Sequence, residues 1–272
     1  MTGTSFDWGP LLEGGPLFLG ILNLTPDSFS DGGRYVDPAA AVRQAQRLVA
    51  AGARMLDLGA ESTRPGSVVV DAATEWGRLE PVLSALTETL PHVPLSLDTR
   101  HAAVAVKGLT AGASVINDVD GCTDPAMLDL VVGSTCGLIA MRSRRHGEGF
   151  LMPTYDDPTP KDAASAITEL HAVRDRLQGA GILADRVLLD PGFGFGTTFT
   201  EDLALWNALP RLPAALAWPA DRFCIGISRK RFLAVRGGTP RLAPDQRDTL
   251  TATTHTEAMA WGYRVFRTHT VL

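Results

Sequence analysis

Residues able to bind or charge a ligand recur in this chain at one kind of place, the downstream ends of short apolar runs. Asn23 ends the first such run, and Asp57 lies in the second, just before Glu61-Ser62-Thr63-Arg64-Pro65-Gly66. Asp98 ends a third and Asn117-Asp118 lie in a fourth. Asp190 leads into Pro191-Gly192-Phe193-Gly194-Phe195-Gly196, Ser228-Arg229-Lys230 follow a later run, and Arg267 and His269 flank the end of the last. One or two buried carboxylates are easily satisfied by backbone donors, but so many polar groups at the same end of separate runs point to a shared site.

Asp98, Asn117 and Asp190 supply acceptors plus one amide that both donates and accepts, a set suited to the edge of a flat heterocycle bearing N–H groups and a carbonyl. Lys230 would place a positive charge near a ring carbonyl or nitrogen, although a lone lysine after a strand is more often solvated. Metal ligation is the rival for the Asp/Asn set, weakened because three separate strands offer no signature loop spacing. Arg267 and His269 are two residues apart, so a strand would point them to the same face, and Arg64 and Asn23 can converge on them to form an anion clamp. Taken alone, the pair leaves a lesser alternative, a surface strand with incidental charge.

The runs that carry these groups are Leu17–Leu24, Met55–Gly59, Pro94–Asp98, Val115–Val119, Gly137–Met141, Val187–Asp190, Phe223–Ile227 and Arg264–Thr268. Their apolar density predicts strands buried on both faces of a parallel sheet, and helix-like stretches separate them. Asp37-Pro38 and Asp124-Pro125 each read as an N-cap followed by proline in the first turn. Val42, Ala45, Leu48 and Val49 form the apolar face of the first of these helices, which Gly52 ends. The longest helix is expected over Lys161–Gly181 and the last over Asp248–Gly262. Eight strands with alternating helices predict an α/β chain closed as a (β/α)8 barrel, with no room for the usual helix after the eighth strand. No composition shift or linker divides residues 1–272, so a single domain is expected.

With 25 basic and 30 acidic residues and a net charge of −5, the chain has no global field to attract nucleic acid or an anionic membrane. Its 3 cysteines form no CxxC pair and read as buried free thiols suited to a reducing cytoplasm. The first residues lack a basic, apolar leader, and no apolar run approaches the ~18 residues a membrane helix needs.

Seven segments, LNLTPDSFSDGG (22–33), LDLGAESTRPGS (56–67), LSLDT (95–99), INDV (116–119), DPGFGF (190–195), SRKRF (228–232) and RTH (267–269), closely resemble the ordered motifs of the dihydropteroate synthases. The resemblance implies a TIM barrel that joins 4-aminobenzoate to 6-hydroxymethyl-7,8-dihydropterin diphosphate and releases pyrophosphate with Mg²⁺ present, in folate biosynthesis. It assigns the pterin to Asp98, Asn117, Asp190 and Lys230, with Gly226 allowing close backbone approach. Asn23 would help bind the metal and the diphosphate, and Thr63, Arg64, Arg267 and His269 would complete the diphosphate site. Thr63, Pro65, Phe195 and Arg231 would shape the aminobenzoate pocket. The catalytic set implied is Arg64, Lys230, Arg267 and His269, in a cytoplasmic enzyme that is a possible homodimer.

The chain also departs from that family. Where a lysine and an asparagine are common it has Thr197 and Asp202; Met-His-Met becomes Ile139-Ala140-Met141; and the aspartate after the last histidine becomes Thr270. The basic segment Arg142-Ser143-Arg144-Arg145-His146-Gly147 reads as a solvated loop. A non-catalytic or weakened pterin-binding relative and a pterin-dependent methyltransferase domain remain as alternatives. The second of these leaves Lys230, Arg267, His269 and the full first loop without a purpose.

Overall fold

The computed structural model describes residues 5–25, 37–61, 69–146, 149–150, 162–239 and 241–271. Its eight barrel strands are β1 (Leu17–Asn23), β2 (Met55–Gly59), β3 (Leu95–Asp98), β4 (Val115–Asp118), β5 (Gly137–Met141), β6 (Val187–Asp190), β7 (Cys224–Ile225) and β8 (Val265–Thr268). All neighbouring pairs are parallel, in the order β6-β5-β4-β3-β2-β1-β8-β7. A parallel bridge from Leu189 to Phe223 joins the two ends of that order and closes the ring as a TIM barrel. β7 is thus shorter than the expected Phe223–Ile227, and Phe223 serves as the closing contact.

The two-residue strand period explains why the polar groups converge. Leu17, Leu19, Met55, Val115, Ile139, Leu188, Cys224 and Val265 point inward and fill the lower barrel. Two residues further along their strands come Asp57, Asn117, Asp190, Gly226 and Arg267, so the same inward face turns polar at the C-terminal mouth. Outward residues such as Leu56, Leu58, Leu97 and Leu189 join the larger core beneath the helices. Each such leucine stabilises the fold by about 1.5–3 kcal/mol on burial.

Besides the short helices Gly9–Glu13 and Leu212–Leu216, the helices of the described residues are α1 (Pro38–Ala50), α2 (Ala72–Thr89), α3 (Ala102–Thr110), α4 (Pro125–Gly133), α5 (Ala164–Gly179), α6 (Phe199–Ala208), α7 (Arg231–Arg236) and α8 (Asp248–Ala260). The two aspartate caps form as their sequence predicts: Asp37 accepts from the Ala39 amide and Asp124 from the Ala126 amide. Among the described residues the longest helix is α2, with 18 residues, rather than α5, with 16. Gly77 and Pro81 make α2 read as broken, but both lie on its exposed face, where water can take the Gly77 carbonyl that Pro81 leaves without a partner.

The opposite end of the barrel is sealed by the segment before β1. Trp8 is buried against the lower layer and its indole N–H donates to the Arg186 carbonyl at 2.9 Å. Among the described residues no helix is long and apolar enough to cross a membrane.

Candidate active site

At the barrel mouth Asp57 is the hub. Its Oδ2 accepts from Arg267 Nε at 2.5 Å and from Asn117 Nδ2 at 3.0 Å. Because a carboxylate beside a guanidinium only accepts, the Asn117 amide nitrogen must face Asp57, leaving its carbonyl oxygen for the cavity. Arg267 also donates through Nη2 to Asp98 Oδ2 at 2.5 Å. Asp57 is fully buried and its Oδ1 has no hydrogen-bond partner. In the sequence Asp57 stood out only as a polar residue in a strand; its bridging role depends on β8 closing against β1.

Asp98 is pushed up to about 7 by burial, with Arg267 opposing and the nearby Asp57, Glu75 and Asp118 adding to the rise. Burial tends to lower the charge of Arg267, yet Asp57 and Asp98 hold its pKa above the ordinary arginine value. Just past the end of β3, Glu75 is buried, accepts from Thr99 Oγ1 at 3.1 Å and lies 2.7 Å from His101 Nδ1. Asp118, adjacent to Asn117, turns away and accepts from the amides of Asp120 and Cys122 at 2.9 and 2.7 Å, closing a turn.

On the other side Asp190 Oδ1 accepts from the Gly192 amide at 2.7 Å, and burial raises its pKa against the opposing charge of Lys230. Lys230 donates to the Phe193 carbonyl and lies 4.5 Å above the Phe195 ring. Burial lowers its pKa to about 8, opposed by Asp190 and Asp202. A Cβ on Gly226 would lie 3.1 Å from Asp190 Oδ2, so the bare backbone leaves this carboxylate its room. Asp98, Asn117, Asp190, Lys230, Gly226 and Phe195 therefore gather at one mouth.

The residues expected to bind the anion are arranged less uniformly. Arg267 is paired with two carboxylates. His269 is set by Ser228, whose Oγ accepts from the His269 amide at 3.1 Å and meets Nδ1 at the same distance. Thr270, where an aspartate is common, bonds Asp248 at 3.1 Å, and Asp248 holds Arg229 through two 2.7 Å contacts. The orienting partner of His269 is thus Ser228, which the sequence presented only as part of a polar triplet. Asn23 is the last, inward-facing residue of β1, and Arg231 is exposed at the start of α7. Thr63, Arg64, Pro65 and the first loop over 26–36 lie outside the described residues.

The expectation of a solvated basic loop at 142–147 is overturned at Arg142 and Arg144, while Gly147 lies outside the described residues. Arg142 is 1% exposed and donates to the carbonyls of Pro191, Gly192 and Phe195 at 2.7, 3.0 and 3.4 Å. Arg144 bonds Glu169 at 2.6 Å, Glu201 at 2.6 and 2.8 Å, and the Gly196 carbonyl at 3.1 Å. A run of charge looks solvated in sequence because its partners lie about 50 residues downstream. Thr197 and Asp202 form their own buried bond of 2.6 Å, and both cap the Gly194 amide at 3.0 Å.

Comparison with known proteins gives one consistent result. The family model described as pterin binding enzyme matches residues 19–269. The dihydropteroate synthase of Mycobacterium leprae is 39% identical over 259 residues, covering 91% of this chain and 87% of that protein. The Xanthomonas albilineans dihydropteroate synthase solved with 7,8-dihydropteroate superposes with a TM-score of 0.75 at 33% identity, over 94% of this chain and 88% of that one. The Yersinia pestis enzyme solved with a sulfonamide drug gives a TM-score of 0.81 at 32% identity, over 99% and 92%.

Proposed function

This chain belongs to the pterin-binding enzyme family, among its dihydropteroate synthases, and from that premise we propose how its barrel mouth carries out the reaction. The reaction is a transfer in folate biosynthesis: 4-aminobenzoate is condensed with 6-hydroxymethyl-7,8-dihydropterin diphosphate and pyrophosphate is released. The observation that supports the site assignment is the inward ring of Asp57, Asp98, Asn117 and Asp190, with Lys230 held above Phe195.

The ring binds the pterin by its edge. The Asn117 carbonyl and the carboxylates accept from ring N–H groups, while the Lys230 ammonium faces a ring carbonyl or nitrogen. The carbon–oxygen bond between the pterin methylene and the diphosphate breaks, and its electron pair leaves with pyrophosphate. The aminobenzoate nitrogen forms the new bond to that carbon and gives up a proton. Negative charge grows on the departing oxygens, so Arg267, His269 and Arg64 favour this state over the ground state. Arg267 serves the leaving group by exchanging a carboxylate partner for diphosphate oxygen. No side-chain nucleophile is needed, and burial raises the Cys122 and Cys224 thiols away from the reactive thiolate. Phe195, Thr63, Pro65 and Arg231 are assigned to aminobenzoate.

Among the described residues no group of three His, Cys, Asp or Glu could hold a metal ion. The donor set suits Mg²⁺ only in the manner usual for that ion, with Asn23 as one protein oxygen beside the substrate phosphates and water. When bound there, it would neutralise charge on the leaving diphosphate. The reading places the protein in the cytoplasm, in keeping with its 3 free cysteines, and as a homodimer that a monomeric mass in solution would exclude.

Pyrophosphate release is the direct test, measured with the pterin diphosphate and Mg²⁺, with and without 4-aminobenzoate, for the wild type and Arg267→Ala. Release that requires aminobenzoate and falls by about a hundredfold in the variant supports the assignment. Wild-type protein that binds pterin without releasing pyrophosphate would make it a non-catalytic relative.

A further inference from the structure

The six-residue loop from Pro191 to Gly196 carries two of the contacts that define the site: the Phe193 carbonyl holding Lys230 and the Phe195 ring beneath it. It has little regular structure of its own. What fixes it comes from the segment after β5. Arg142 binds three of its carbonyls and Arg144 binds the Gly196 carbonyl, so guanidinium groups take four of the six. Both arginines are tied to Glu169, Arg142 at 3.3 Å and Arg144 at 2.6 Å, and Arg144 also grips the buried Glu201.

The glycines of the loop show how close this docking is. Gly192 has φ +67°, and a Cβ there would lie 2.2 Å from the Arg142 carbonyl oxygen; Gly196 has φ +76°, and its Cβ would lie 2.4 Å from that of Arg144. Loop and arginine segment therefore fit backbone to backbone, leaving no space for a side chain between them.

We propose that Arg142, supported by Arg144 and Glu169, is a positioning residue that sets the 191–196 loop so that Phe195 meets 4-aminobenzoate in register with the pterin bound beside Lys230. The proposal rests on the synthase reading for its substrate and on the loop geometry for its mechanism. Arg142 touches no reacting atom; it acts through the carbonyls it holds. A lysine there keeps a charge but loses the planar fork that reaches several carbonyls at once.

The test compares the wild type with Arg142→Lys and with Glu169→Gln, which loosens the arginines without removing either. Hydrogen exchange of peptides covering 191–197 is measured alongside steady-state kinetics and thermal unfolding. The expected result is faster exchange confined to 191–197, with KM for 4-aminobenzoate raised about tenfold and KM for the pterin diphosphate changed by less than about threefold. Asp98 and Asn117 hold the pterin from other strands and only Lys230 leans on the loop, so the pterin constant moves less than that of aminobenzoate. Unchanged exchange at 191–197 in both variants overturns the proposal whether or not the protein turns over. Faster exchange spread over the whole barrel, with both KM values rising together, also overturns it, since that is the signature of a merely structural role. If Arg142→Lys does not fold, Glu169→Gln alone decides. Aminobenzoate-independent behaviour of the wild type counts against the synthase reading, and the exchange data still judge the clamp.

Discussion

Arg267 donates from Nε to Asp57 Oδ2 across 2.5 Å, joining two residues 210 positions apart in the chain. β1 lies between their strands, so the bond crosses the barrel interior instead of following the sheet. Through Asp57 it also fixes which face Asn117 offers to a ligand. Asp57→Asn removes the charge opposite Arg267 and allows the Asn117 amide to flip. We expect stability to fall by about 1–3 kcal/mol in urea unfolding, since Arg267 retains Asp98. Calorimetric titration should show pterin affinity reduced about tenfold or more. Unchanged affinity would mean that the orientation of Asn117 does not matter to binding.

Lys230 governs the alkaline limb of activity. Its pKa is lowered to about 8, so the ammonium is progressively lost as pH rises through that value. The profile of kcat/KM, which reports groups in the free enzyme, should fall above about pH 8. Lys230→Arg should reduce the maximum but abolish this limb, because arginine keeps its charge. A wild-type profile flat to pH 10 would refute the assignment.

Two glycines should separate stability from binding. At Gly192 a Cβ meets backbone and the φ is positive, so Gly192→Ala should destabilise by about 2 kcal/mol or more in thermal unfolding. At Gly226 the Cβ meets only the Asp190 carboxylate at 3.1 Å, so Gly226→Ala should stay folded with a melting temperature near that of the wild type. Its pterin affinity should nonetheless drop, because Asp190 must move; equal affinity would show that Asp190 can shift freely.

His255 should make the fold sensitive to acid. It is buried between Phe18 and Phe266, its Nε2 has no partner, and burial lowers its pKa to about 4. The unfolded chain therefore binds the proton more readily, so the stability is present above about pH 6.5 and lost as pH falls toward 4. The loss is on the order of 3 kcal/mol. Asp98 and Asp118, raised to about 7 and about 6, change stability in the opposite sense over the same range. The informative quantity is thus the difference between the wild type and His255→Leu in chemical unfolding at several pH values. A difference that does not change with pH would remove His255 from the account.

Much of the fold was legible in the chain. The apolar runs were dense enough to mark all eight strands, and Asp37 and Asp124 announced the helices they cap. The polar ring was legible because the strand period carries each chemical group two residues past an apolar one, as Val115 is followed by Asn117. What escaped was set by contacts remote in sequence. Arg142 lies in a charge run, and nothing near it shows that the carbonyls of Pro191 and Gly192 wait in another part of the fold. Ser228 became the orienter of His269, 41 residues away. The length of α2 escaped because Gly77 and Pro81 break a helix by propensity, whereas on its solvent face they are tolerated.

Trp8 has a consequence for the order in which the barrel can be completed. Its indole partner, the Arg186 carbonyl, lies 178 residues downstream, and its amide bonds the neighbouring Asp185 carbonyl. At a synthesis rate of about 5–20 residues per second, this tryptophan waits on the order of ten seconds or more for its partner to be made. Contacts this distant in sequence cost much entropy before they are rewarded, which slows folding. The end of the barrel opposite the reaction therefore closes late, and the apolar layer facing Trp8 stays accessible to water, or to another chain, until β6 has joined the sheet.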